Sequence, residues 1–288
     1  MFFHARSVIM KERKRGNAMN AVYRIYNQNI WGNMPPSGRI ANRHALIAAL
    51  IGEHAPDVCG FQECNPRTSR AGDDPIDRRM AALGYTEAAA AHAGENFTPL
   101  FYKTEKFEEE ASGYHPYEGL NDVRSKSYTW AVLRDKEKGG RFAAISTHFW
   151  WRWDGEEDEQ ARLSNVEELL ALCRRLAEEY AAPVILMGDL NNGANAPQGD
   201  AAYRALLARG VTDARAAARE TDTGHTCHHY PILGEDGLYR EGDAPYMTLD
   251  HILLWNAETL HAHRLTVLRT PDALNSSDHC PMVFEFSL

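Results

Sequence analysis

Short polar motifs stand at the ends of apolar, strand-like stretches along this sequence. In chain order they are Gln28-Asn29-Ile30, Gln62-Glu63, Thr147-His148, Gly188-Asp189-Leu190-Asn191, Leu249-Asp250-His251-Ile252 and Ser277-Asp278-His279. Together they supply carboxylates, amides and imidazoles, with almost no nucleophilic Ser or Cys. This set of groups suits a hard metal ion and an activated water. The sequence therefore predicts a metal-dependent phosphoesterase.

The acidic and amide side chains include candidate metal ligands. Mg²⁺ takes oxygen ligands and keeps several waters, so one or two carboxylates are enough to hold it. Glu63 and Asp278 are the natural candidates, and Asn29 could add a carbonyl oxygen.

The remaining motif residues are candidates for proton transfer and phosphate contact. Asp189 and Asn191 would share one face if the backbone stays extended, so that Asp189 could take a proton from water while Asn191 contacts the phosphate or orients Asp189. His148 and His279 can act as acid, base or phosphate donor, and Asp250 would fix the position of one of them. Taken singly, an Asp-x-Asn is more often a turn that bonds its own backbone, and Asp250 could equally cap a loop. The joint occurrence of all the motifs at strand ends favours the catalytic interpretation.

Composition limits the class of protein and of substrate. With 44% hydrophobic and 25% charged residues in a chain of 288, the sequence predicts a folded, soluble protein. A net charge of -9 argues against a surface that holds long nucleic acid by its phosphates. The five cysteines show no zinc-knuckle spacing, which favours reduced thiols and a cytoplasmic location. No stretch approaches the roughly 20 apolar residues of a spanning helix, so no membrane association is expected.

The positions of the motifs depend on the elements that carry them. Residues 1–20 are expected to be a disordered leader, and 21–288 a single domain, because no linker interrupts the pattern. Strands are predicted at 22–30, 58–61, 100–107, 127–134, 142–149, 184–187, 249–255 and 282–286, and helices at about 43–53, 159–180 and 201–208. A turn at 138–141 predicts that the strands on either side of it form a hairpin. Strands outnumber helices, so two packed sheets with helices outside fit better than one parallel sheet.

The order of the motifs resembles that of the endonuclease/exonuclease/phosphatase superfamily, over about residues 23 to 286. The matching stretches are Gln28-Asn29-Ile30-Trp31-Gly32, Pro56-Asp57-Val58-Cys59-Gly60-Phe61-Gln62-Glu63, Pro99-Leu100-Phe101-Tyr102, Tyr128-Thr129-Trp130-Ala131, Ser146-Thr147-His148-Phe149, Met187-Gly188-Asp189-Leu190-Asn191, Leu249-Asp250-His251-Ile252 and Ser276-Ser277-Asp278-His279-Cys280-Pro281. The resemblance implies a deoxyribonuclease I-like α/β (α+β) fold, a four-layer sandwich of two mixed sheets packed face to face with helices outside. It also implies a phosphoesterase that uses Mg²⁺ or Mn²⁺.

The resemblance also implies a role for each motif residue. Glu63 resembles the principal metal ligand, assisted by Asn29 and Asp278. Asp189 and Asn191 resemble the pair that orients water and contacts phosphate. His148 and His279 resemble the catalytic imidazoles, and Asp250 the carboxylate that orients a histidine. Whether Asp189 or His279 is the base stays open.

Differences from particular subgroups of the superfamily limit which branch the sequence resembles. Trp31 stands where the nucleases of abasic sites carry Asp, and Asn192 stands where inositol-polyphosphate phosphatases carry Arg. Tyr128-Thr129-Trp130-Ala131 and Arg162 are more similar to the bacterial phosphatase-like branch. The expected substrate is a small phosphoester or a short single-stranded nucleic acid. The alternatives are a sequence-nonspecific nuclease and a binding module of the same fold that has lost catalysis.

Two further segments could determine specificity. Trp150, Trp151 and Trp153 follow His148, and they could stack a base or sugar at the mouth of the site or serve as packed loop anchors. Cys227-His228-His229-Tyr230 contains zinc-type ligands, but the sequence offers no second ligand cluster at a recognised spacing.

Overall fold

Two mixed β-sheets and the helices that cover them make up the fold. The computed structural model describes residues 22–32, 43–65, 67, 73–92, 94–228, 232–236, 238–240 and 246–288, so the predicted leader lies outside the described residues. The first sheet contains, in spatial order, β10 (Glu220–Thr221), β14 (His261–Val267), β15 (Met282–Ser287), β1 (Tyr23–Asn29), β2 (Val58–Gln62), β4 (Leu100–Lys103) and β3 (Tyr85–Glu87). The second contains β5 (Phe107–Pro116), β6 (Ser127–Asp135), β7 (Arg141–His148), β8 (Val184–Asp189), β13 (Asp250–Trp255) and β9 (Thr212–Asp213).

The other described elements are helices and one small hairpin. The helices are α1 (Arg43–His54), α2 (Ile76–Ala82), α3 (Glu156–Tyr180), α4 (Ala201–Ala208), α5 (Ala214–Ala217) and α6 (Pro271–Ser276), with a short 3₁₀ turn at Ala90–His92. The hairpin pairs β11 (Ile232–Leu233) with β12 (Tyr239–Arg240). No described helix has the length and apolar character needed to cross a bilayer.

Alternation along the central strands separates three apolar layers. On β8, Ile185 points into the core between the sheets, whereas Leu186 points to the layer beneath α3. Leu169 and Cys173 of α3 recur at helical spacing and fill that outer layer. On the far side, Ile47 of α1 packs in a third layer against the first sheet. The arrangement is helices, sheet, sheet, helices, which confirms the predicted four-layer sandwich.

Strand direction brings all the polar motifs to one edge of the sandwich. β1 runs parallel to β2, and β7 runs parallel to β8, so the carboxyl ends of these four strands lie together. β13 is antiparallel to β8 and pairs Asp250 with Asp189, and β15 is antiparallel to β1. β13, which begins within the fifth motif, and β15, which follows the sixth, therefore start at the edge where the other four strands end.

Several predicted elements are confirmed and one is wrong. The hairpin of β6 and β7 closes through hydrogen bonds between Asp135 and residues 139 and 140, as the turn at 138–141 predicts. The predicted strand at 100–107 is two strands in different sheets, because a turn after Lys103 sends the chain from β4 into β5. The sequence patterns also missed β5, β14, α2 and α6.

Candidate active site

Asp189 lies at the centre of the polar edge, at the end of β8. Its Oδ2 accepts a hydrogen bond from Asn29 Nδ2 at 2.9 Å, and it lies 3.5 Å from His148 Nε2 and 3.9 Å from His279 Nε2. Burial raises the pKa of Asp189 to about 6, although the nearby His279 charge works in the opposite direction. A carboxylate with this pKa can accept or release a proton near neutral pH.

The loop after Asp189 does not continue the strand. Asn191 has a positive φ of 47°, and its N–H donates to Asp189 Oδ1 at 2.7 Å. The extended backbone on which the shared face of these two side chains depended is therefore not present. Both reach the site because the chain turns, so the backbone-bonding turn and the catalytic placement occur in the same motif.

Gly188 permits the close approach that the site requires. A Cβ at this position would lie 2.0 Å from the carbonyl oxygen of Thr147, because β7 runs directly alongside. The same parallel register pairs His148 with Asp189.

Glu63, Asn29 and Asp278 lie on the side of the site formed by the first sheet. Glu63 Oε1 accepts from Asn29 Nδ2 at 3.2 Å, and its Oε2 accepts from the N–H of Gly32 at 3.1 Å. The Asn29 Oδ1 accepts from the N–H of Trp31 at 2.9 Å. Burial raises the pKa of Asp278 to about 7; the His279 charge lowers it and Glu63 adds to the rise. Glu63 and Asp278 line the cavity with carboxylate groups, and hard divalent cations prefer such oxygen donors.

The structure assigns a partner to Asp250. His279 Nδ1 donates to Asp250 Oδ2 at 2.7 Å, and both side chains are buried. Thr226 Oγ1 accepts from the backbone N–H groups of Leu249 and Asp250, both at 3.0 Å, and so anchors the start of β13. Burial opposes a charge on His279, but Asp250 outweighs it and holds the pKa of His279 well above its usual value.

His148 has a different environment from His279. Lys126 Nζ and Asn191 Nδ2 each donate toward His148 Nε2 at 2.9 Å, and Asn191 Nδ2 also donates to the carbonyl oxygen of Phe149. Burial, followed by the charges of Lys126 and His279, holds the pKa of His148 well below its usual value. We infer from the two donors that Nε2 of a neutral His148 is the accepting nitrogen.

Lys126 is a site residue that the sequence patterns did not identify. Its side chain is buried, and within the described part of the chain no carboxylate oxygen lies within 4.0 Å of its Nζ. Burial lowers the pKa of Lys126, against the attraction of Glu63, Asp189 and Asp122. The predicted hairpin could have identified Lys126, because the residue before β6 must lie beside the end of β7, where His148 is found.

A cavity of about 650 Å³ opens over these groups. Trp151 and Trp153 line it and are 39% and 48% exposed, so both can contact a ligand. Trp150 is buried, and its Nε1 donates to Asp158 Oδ1 at 2.7 Å. The predicted tryptophan group therefore divides into one loop anchor and two cavity side chains.

The structure brings all eight candidate side chains from the sequence together. Glu63, Asn191, Asp278 and His279 line the cavity. Asn29, His148, Asp189 and Asp250 lie beneath them, and each forms a hydrogen bond with one of the lining residues. Within the described residues, Asp189, Asp250 and His279 offer ligand atoms within 4.8 Å of one another. We interpret that trio as a hydrogen-bonded group, since Asp250 already accepts from His279, and we place the oxygen-rich candidate metal position at Glu63 and Asp278.

Comparison with known proteins gives one family and many similar folds. The family model described as Endonuclease/Exonuclease/phosphatase family matches residues 27–279. No match to this chain was found among curated proteins. A Bacteroides thetaiotaomicron mannosyl-6-phosphatase is 20% identical with a TM-score of 0.70, over 92% of this chain and all of that one.

Two other solved structures of similar fold come from vertebrates. The catalytic domain of human Nocturnin with bound sulfate is 20% identical with a TM-score of 0.67, over 92% of this chain and 94% of that one. Danio rerio TDP2 with a single-strand DNA product is 16% identical with a TM-score of 0.65, over 93% of this chain and all of that one. At these identities the likeness establishes the shared fold.

Proposed function

The chain belongs to the endonuclease/exonuclease/phosphatase family, whose members hydrolyse phosphoester bonds, and from this we propose that it is a divalent-metal-dependent phosphoesterase. It hydrolyses a phosphomonoester or phosphodiester by in-line attack of an activated water. The observation that carries the proposal is the environment of Asp189, which lies between the amide of Asn29 and the imidazoles of His148 and His279.

Glu63 and Asp278 are the proposed ligands of a Mg²⁺ or Mn²⁺ ion. Their oxygens lie beside one cavity, and few protein ligands are needed by an ion that keeps several waters. When bound, the ion supplies neutralisation of the phosphate oxygens and of the charge that develops on them. Asn29 belongs to the same group, but its oxygen accepts from Trp31, so its direct contribution here is to hold Glu63 and Asp189 in position.

Asp189 is the proposed base for the attacking water. Its pKa of about 6 leaves it ionised at neutral pH yet still able to accept a proton, and two amide groups fix its orientation. His279 is the weaker candidate for base because Asp250 favours its protonated form. We assign the protonated His279 to the phosphate oxygens or to the leaving group.

Lys126 and Asn191 are the proposed phosphate donors on the opposite side. Both direct N–H groups at the neutral His148, so a phosphate oxygen can take the place of the imidazole as acceptor. A buried ammonium group without a carboxylate partner gains most from an anionic ligand. In this assignment, His148 accepts the hydrogen bonds of Lys126 and Asn191 when no substrate is bound and so keeps both donors in position.

The proposed substrate is small or single-stranded. Of the described residues that line the cavity, Arg43 and Lys126 are the basic arginine and lysine side chains, and Arg43 donates to the backbone carbonyls of Trp31 and Ser276. That leaves little positive charge for the extended phosphate contacts of a duplex. The exposed faces of Trp151 and Trp153 suit a sugar or a base.

Hydrolysis of p-nitrophenyl phosphate and of bis-p-nitrophenyl phosphate tests the proposal. We expect release that needs Mg²⁺ or Mn²⁺ and stops with EDTA, and Asp189→Asn should lower kcat by on the order of 10²–10⁴. Asp236→Asn, at an exposed turn, is the matched control and should keep the wild-type rate.

The substrates and the variant separate the competing functions. Hydrolysis of the diester favours a phosphodiesterase. Hydrolysis of the monoester alone favours a phosphatase. Steep salt dependence with long DNA would favour the nuclease alternative. EDTA-insensitive release, or an Asp189→Asn variant at the wild-type rate, contradicts the mechanism, and absence of release with either metal favours the binding module.

A further inference from the structure

A second cluster of potential metal ligands lies next to the candidate active site. His225, His228 and Cys280 offer ligand atoms within 4.8 Å of one another. His228 Nε2 lies 3.2 Å from Cys280 Sγ, and both residues are only 1% exposed. The ring centroids of His225 and His228 are 5.5 Å apart, and the ring planes are inclined at 77°.

The ligand types select a different ion from the one proposed for hydrolysis. Thiolate and imidazole groups bind Zn²⁺ and similar transition ions, whereas Mg²⁺ prefers oxygen. With Zn–N near 2.0 Å and Zn–S near 2.3 Å, tetrahedral geometry puts nitrogen and sulfur about 3.5 Å apart, close to the 3.2 Å between His228 Nε2 and Cys280 Sγ. The ligand atom of His228 would be Nε2, because this nitrogen faces Cys280 Sγ.

We propose that His225, His228 and Cys280 form a binding site for a single zinc-like transition-metal ion, distinct from the site of the hydrolytic metal. Three protein ligands leave the fourth tetrahedral position to water. The sequence pattern around Cys227 lacked a second ligand cluster. The fold supplies it by bringing Cys280 beside His228, 52 residues earlier in the chain.

An ion at this site would join two segments that also carry active-site groups. His228 N–H donates to the carbonyl oxygen of Asp278 at 2.9 Å, and Cys280 N–H donates to that of Thr226 at 2.7 Å. The ion would add a third connection between residues 226–228 and 278–280, the second of which contains His279. Its role is therefore to hold this part of the site in place, and the proposal does not depend on which phosphoester the protein hydrolyses.

Cobalt loading in excess Mg²⁺ tests the proposal without any substrate. The intact chain should bind one Co²⁺ and show a thiolate-to-cobalt charge-transfer band in the near ultraviolet, and added Zn²⁺ should displace it. Cys280→Ser should abolish the band, whereas Cys173→Ser, which changes a buried cysteine beneath α3, should leave it unchanged. His225→Gln should weaken Zn²⁺ binding by at least about tenfold, since even outer-shell changes cost that much.

Two results would overturn the site. The first is no Co²⁺ or Zn²⁺ retained after gel filtration in Mg²⁺ buffer, and the second is a charge-transfer band that survives in Cys280→Ser. Thermal unfolding of each variant shows whether the chain is folded. If Cys280→Ser does not fold, His225→Gln alone tests the site, because His225 is only partly buried and its replacement should be tolerated. Failure of hydrolysis would leave these spectra unaffected, so the two proposals are judged separately.

Discussion

Replacing Lys126 by Met should lower catalysis without lowering stability. The buried Nζ contacts His148 and lies more than 4.0 Å from any described carboxylate oxygen, so the folded protein gains little from its charge. Met has a similar length and removes the cost of burying that charge, which is several kcal/mol per ion after relaxation. We expect the free energy of unfolding to stay within about 0.5 kcal/mol of wild type or to rise by about 1–4 kcal/mol.

The catalytic loss follows from the proposed contact with phosphate. One donor aimed at developing charge in a water-excluded site contributes about 2.7–4 kcal/mol, so kcat/KM should fall by about 10²–10³. The assay pairs urea unfolding with steady-state hydrolysis of the better nitrophenyl substrate, with kcat and KM separated. The reasoning fails if Lys126→Met unfolds more easily than wild type or keeps its kcat/KM.

Lys106→Met is the matched control for this experiment. Lys106 Nζ pairs with Asp57 Oδ2 at 2.9 Å and is outside the cavity lining. Loss of such a partly exposed pair should cost about 0–1 kcal/mol of stability and leave kcat/KM unchanged.

Three further outcomes follow from the same geometry. Asp250→Asn removes the carboxylate that raises the pKa of His279, so the alkaline limb of the pH–rate profile should move to lower pH. In metal-free protein, the raised pKa of Asp278, about 7, means that the folded state binds more protons than the unfolded state between about pH 4 and 7. Stability measured by urea unfolding should therefore fall as pH rises through that window, and Asp278→Asn should flatten the slope; an unchanged slope contradicts this. Trp150→Ala should destabilise the protein by about 3–5 kcal/mol, whereas Trp153→Ala should change stability by about 0.5 kcal/mol or less and raise KM.

The sequence predicted those strands in which nearly every residue is buried. β7 and β8 are buried on both faces, and their apolar runs led directly to His148 and Asp189. β5 is largely half-exposed and lies at the edge of its sheet, so it lacked a comparable pattern and was missed.

The pairing of site residues depended on information that the motifs alone lack. Asp250 could have oriented either histidine, and the position of Ser277-Asp278-His279 before β15 decides in favour of His279. Lys126 was missed because it precedes its strand, whereas most of the motif residues follow theirs. The metal and catalytic roles of these residues stay predictions until the variants are measured.

The pairing of β1 with β15 affects how the protein is made. β1 carries Asn29 and lies between β2 and β15, so one of its edges stays open until residues 282–287 have been synthesised. Closing a loop of that length is slow, and an unpaired central strand is prone to aggregate on the ribosome or soon after release. A nascent chain arrested before β15 would thus need chaperone protection. The strand that carries Asn29 therefore reaches its final pairing only after the last strand of the described fold has been made.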